Sequence, residues 1–143
     1  MTARDYQEEF WIRLSDAARK RGSLPNLGTP MNASALPSSA GEGVSWVFHF
    51  RAKHIRVGIV TYAENQNRHP NEAIEIAKQF VEEIEELTGR TVIIDEPDPD
   101  SPNGRLYVKI DAFIANDRST WNKSISKSLD CMEIIVRILS EEI

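Results

Sequence analysis

Four carboxylates crowd one short stretch of the chain, Asp95, Glu96, Asp98 and Asp100 within DEPDPDSPNG. Clustered carboxylates are the usual oxygen ligands of calcium and magnesium, so the first chemistry to weigh is cation binding. A calcium loop of the EF-hand kind starting at Asp98 needs an oxygen ligand at its fifth position, glycine at its sixth and glutamate at its twelfth. The chain offers Pro102, Asn103 and Lys109 there, and the match fails. Metal-assisted phosphodiester cleavage is the second chemistry. A nuclease of the PD-(D/E)xK kind sets an acidic residue two positions before a lysine, so that the carboxylate holds magnesium while the lysine stabilises charge. Tyr107 stands two before Lys109, which leaves that arrangement short of a ligand and reduces the metal candidates to Asp95, Asp98 and Asp100.

The other reactive residues form no constellation. His49, His54 and His69 lack the paired spacing of a zinc site and have no cysteine cluster to complete one. Cys131 falls on the apolar side of a helical stretch, where a buried inert thiol is much commoner than a nucleophile. No serine occupies a nucleophile elbow and no glycine-rich phosphate loop is present, so no motif calls for a cofactor.

The elements that must position these residues centre on VSWVFHFRAKHIRVGIVTY, residues 44–62. Val44, Trp46, Phe48 and Phe50 alternate with small or polar residues, and Ile55, Val57 and Ile59 do so again after a short break. Period-two alternation rich in aromatic and β-branched residues predicts an antiparallel hairpin whose shared face floors the core. Before it, Tyr6, Phe10 and Leu14 recur at helical spacing from about Arg4 to Arg21, and Gly22 is placed to stop that helix. Residues 23–43, rich in Pro, Gly and Ser, read either as a long loop that lies across the sheet or covers a groove, or as a flexible connection between helix and hairpin. Ile74, Ala77, Phe80, Val81, Ile84 and Leu87 fall on one face of a single helix ending at Gly89. Residues 91–94 and 105–113 predict a second hairpin around the acidic tip, and Trp121, Ile125, Leu129, Met132, Val136 and Leu139 mark a closing helix. The expectation is one α+β domain over residues 1–143, in the order α-β-β-α-β-β-α. Its four-stranded sheet is antiparallel or mixed, with helices mainly on one face.

Charge and composition narrow the function classes. Seventeen Lys and Arg against 22 Asp and Glu give a formal charge of -5, which disfavours a general nucleic-acid binder, although a local basic patch stays open. The single cysteine makes no internal disulfide, and neither a secretion signal nor a membrane span is legible, so a cytosolic protein is expected. The closing helix carries Ile134, Ile135 and Ile138 beyond the stripe needed to pack on a sheet. Those surplus side chains need cover, which the first helix could give within one chain or a two-fold partner could give at an interface; a homodimer is the expected arrangement.

An opening helix with Phe10-Trp11, an aromatic hairpin, a helix ending in Leu87-Thr88-Gly89-Arg90, and Asp117 with Trp121 before a last helix together resemble the DUF4268 family of uncharacterised bacterial domains. The resemblance implies a role beside restriction, defence or mobile-element genes and supplies no catalytic residues. Two functions are therefore expected to compete. One is a non-catalytic module that binds a protein partner; the other is a metal-dependent nuclease-like enzyme using the acidic tip at 95–100.

Overall fold

The computed structural model describes residues 2–24, 35–63 and 69–143. Helix α1 (Ala3–Arg21) starts at Thr2, whose hydroxyl accepts the Asp5 amide at 3.2 Å while the Asp5 carboxylate accepts the Thr2 amide at 2.9 Å. Those reciprocal bonds satisfy two amides that a helix start otherwise leaves open, and they hold the Asp5 carboxyl below its ordinary range. At the other end Gly22 takes φ of 68°, a left-handed cap that only glycine adopts at little cost.

Five strands follow: β1 (Ala35–Gly41), β2 (Val44–Phe50), β3 (Ile55–Thr61), β4 (Ile93–Asp95) and β5 (Gly104–Ile110). They form one sheet in the order β1-β2-β3-β5-β4, and every neighbouring pair is antiparallel. The two predicted hairpins are present, the first closed by a turn in which the Arg51 amide donates to the His54 carbonyl at 3.0 Å. Among the described residues the strand count is five and not four. The extra strand, β1, occupies part of the stretch read as a loop; residues 25–34 of that stretch lie outside the described residues. ALPSSAG carries a single large aliphatic side chain, so its strand conformation comes from pairing along β2 and not from its own pattern.

The second helical stretch is also divided, into α2 (Pro70–Lys78) and α3 (Val81–Thr88). Phe80 between them has φ -110° and ψ 8°, and the amides of Gln79 and Phe80 reach back only three residues, to Ile76 and Ala77. Tightening of this kind ends a helix, and it turns the chain while Phe80 still packs on the core. The apolar spacing of 74–87 carries through the break, which is why one helix was predicted. A 3₁₀ turn at Arg118–Thr120 then leads into α4 (Trp121–Leu139).

Sheet register sorts the strand residues into two faces. Leu36, Phe48, Val57 and Val108 align across β1, β2, β3 and β5; so do Ser38, Trp46, Ile59 and Leu106. Apart from Ser38, these residues share one core with Phe10, Trp11 and Leu14 of α1, Ile74 and Ala77 of α2, Ile84 of α3, and Ile125, Leu129, Met132 and Ile135 of α4. All four helices therefore bury their apolar sides against the same face of the sheet. Phe10 is the hub at one end, with ring centroids of Phe113 at 5.1 Å and of Trp11, Phe50 and Trp121 at 5.4 Å.

Candidate functional site

The acidic tip is built as a turn. The Asp98 carboxylate accepts the amides of Asp100 at 2.8 Å and Ser101 at 2.7 Å, and the backbones of Asp98 and Ser101 bond to each other in both directions. Glu96 is paired with Lys78. Asp95 belongs to β4, where it stands opposite Arg105. A cleft of about 560 Å³ is lined by Asp95, Glu96 and Asp98 together with Lys78 and Arg105. Two cations among its walls oppose the entry of a divalent ion. Among the described residues, no three His, Cys, Asp or Glu side chains come together as a metal site.

The histidines are separated. His69 caps α2, its Nδ1 accepting the Asn71 amide at 3.1 Å. His54, at the first hairpin turn, accepts from Arg56 at 3.3 Å. His49 lies in β2 on the face turned away from the helices. Burial first, and then the positive charges of Arg51, Arg105 and Arg56, together push its pKa down to about 4. Cys131 is buried in α4, and burial pushes its thiol up and away from the reactive thiolate.

On α4 the three isoleucines expected at an interface do not share one environment. Ile135 is fully buried in the chain's own core, which corrects its reading as surplus. Helix α1 lies along the side of α4 that carries Asn122, Ile125, Ser126 and Leu129. Arg21 at its end holds Asp130 at 2.7 Å and Glu133 at 3.2 Å. Ile138 is part-buried against the core and Ile134 is part-exposed.

The strongest feature is the sheet face opposite the helices. Its central row, Pro37, Val47, Gly58, Tyr107 and Ile93, crosses all five strands. On one side run His49, Arg56 and Lys109 in register; on the other run Ser45, Val60, Arg105 and Asp95. Arg51 lies just beyond the end of β2, two positions after His49, and its guanidinium is pulled below its ordinary value by burial and then by Arg56 and Arg105. The Arg56 guanidinium lies over the Tyr107 ring, 4.8 Å from its centroid. Four strong cations, Arg51, Arg56, Arg105 and Lys109, thus share a face in a chain of net charge -5. Among the described residues none of the four forms an ion pair. The pairs present tie Arg13 and Arg118 to Glu9, Arg19 to Asp16, Arg21 to Asp130 and Glu133, and Lys78 to Glu75 and Glu96.

That grouping is invisible to linear spacing. Arg56 and Lys109 are 53 positions apart and become direct cross-strand neighbours only through the β3–β5 register. The available signal was parity: Arg56, Arg105 and Lys109 each occupy the outward position of an alternating strand. Compared with family models, with curated proteins and with solved structures, the chain matches none. No described helix is long and apolar enough to cross a membrane.

Proposed function

We propose that this chain is a non-catalytic interaction module whose working surface is the outward face of its sheet. The observation that carries this reading is the row of cations on that face: Arg56 and Lys109 stand opposite each other in register, and among the described residues none of the four cations forms an ion pair. The nuclease-like alternative draws on Asp95, Asp98 and Asp100. Its support is weaker, because Asp98 is engaged by two amides of its own turn and Asp95 stands across from Arg105. The resemblance to the DUF4268 family adds the expectation of a place beside restriction or mobile-element genes. A homodimer joined through the part-exposed Ile134 and Ile138 of α4 is compatible with this module, because those residues belong to the helical layer and leave the outward face free.

Calorimetric titration with magnesium and with manganese tests the assignment. The expected result is no saturable heat and no hydrolysis of single- or double-stranded DNA. Stoichiometric binding that disappears in an Asp95→Asn, Asp98→Asn double variant, together with cleavage, would replace the module by the enzyme.

A further inference from the structure

We infer that the outward sheet face binds single-stranded nucleic acid, the phosphates being held by Arg51, Arg56, Arg105 and Lys109. The inference rests on the module reading above and names its ligand class. Its first support is an electrostatic cost built into the fold. Arg56 sits directly opposite Lys109, and like charges in that relation destabilise a sheet. His49, the next residue in the row, is driven toward its neutral form by burial and then by the charges of Arg51, Arg105 and Arg56. A polyanion lying across the row relieves that repulsion and displaces the counterions it collects.

Shape decides which polyanion. Five strands about 4.8 Å apart make a face roughly 19 Å across, wider than the roughly 12 Å major groove, so the sheet cannot seat itself in a duplex. A single strand has no such constraint and can lie across the face with its phosphates on the cations. Arg105 and Lys109 are four residues apart on one strand, about 13 Å, with Tyr107 between them and Arg56 over its ring. A guanidinium held flat in this way is a platform on which a base can stack. An acidic peptide matches the charge but finds few apolar anchors here, since Val47 and Val60 of this face are buried. The overall charge of -5 does not oppose the assignment: the Glu-rich α3 packs in the helical layer, behind the sheet.

Fluorescence anisotropy on the whole chain tests the inference, using labelled dT20 and U20, the corresponding duplex, and polyglutamate of equal charge. Four phosphate contacts on a single strand give a slope of log K against log salt near -2.8, or about a 50-fold loss between 50 and 200 mM salt. Lys109→Gln should make the slope shallower by about 0.7, and Arg56→Ala should weaken binding further by removing the platform over Tyr107. Both variants are checked for native circular dichroism, and Lys109→Gln serves alone if Arg56→Ala does not fold. Single strands binding more tightly than duplex and polyglutamate, with that salt slope, supports the inference. No binding at 50 mM salt, a slope unaltered by Lys109→Gln, or polyglutamate binding as well as dT20 overturns it. Those failures leave the module reading standing, whereas cleavage of the bound strand on adding magnesium would overturn the module reading and not the binding.

Discussion

Acid should weaken this fold through His49. The imidazole is part-buried on the outward face, where its pKa is about 4 against an ordinary 6.5, so protonation is disfavoured in the folded chain and not in the unfolded one. The unfolded chain then takes up the proton first. Stability is complete above about pH 6.5 and is lost progressively as the pH falls from there through about 4. The interval of about 2.5 pH units corresponds to roughly 3.4 kcal/mol at 1.36 kcal/mol per unit. A part-exposed ring is screened by solvent, which brings the expected loss down to about 1.5–2 kcal/mol. Urea unfolding of the wild type and of His49→Gln at pH 7.5, 6.0, 5.0 and 4.5 isolates the effect, because the carboxylates titrate alike in both. The wild type should lose about 1.5–2 kcal/mol more than the variant across that range. Parallel stability curves would refute the reasoning, since they would mean that neither burial nor the three arginines act on this ring.

Three further outcomes are expected. Gly58→Ala should cost about 3 kcal/mol or more by urea unfolding, because a methyl group there would run into the Leu106 carbonyl, with Tyr107 Cα 2.7 Å away, and backbone does not yield as a side chain does. Phe10→Ala should cost about 3–5 kcal/mol and lower the melting temperature, since it empties the hub of the aromatic cluster. Ile135→Glu should destabilise the single chain by about 3 kcal/mol or more, whereas Ile134→Glu should change stability by less than about 1 kcal/mol. Sedimentation equilibrium on Ile134→Glu then reports on self-association without the complication of unfolding.

The elements with strong periodicity were legible in the sequence, and those made by partners were not. Helix α1 could be read to within a residue because Gly22 stops it, and β2 and β3 because aromatic and branched residues alternate along both. β1 was missed because Leu36 is its only large aliphatic residue and its other core-facing positions hold only the small Ser38 and Ala40. The division between α2 and α3 was missed because Phe80 keeps its place in the apolar stripe while its backbone leaves the helix. For the site, the acidic tip drew attention because its residues are contiguous. The cations of the sheet face are scattered from Arg51 to Lys109, and only the register gathers them.

Among the described residues, the two outer strands of the sheet are each poor templates for another strand. β4 is three residues long, too short to guide a partner, and β1 combines Pro37, which removes one donor, with an irregularity in pairing between Ser39 and Gly41. Open rims are where strands of misfolded chains add and fibrils grow, and these rims resist that growth. The chain should therefore stay dispersed at high concentration and during slow refolding, even with its long apolar strands β2, β3 and β5. A substitution such as Pro37→Val, conservative in size, is the kind that would turn this domain into a seed for aggregation.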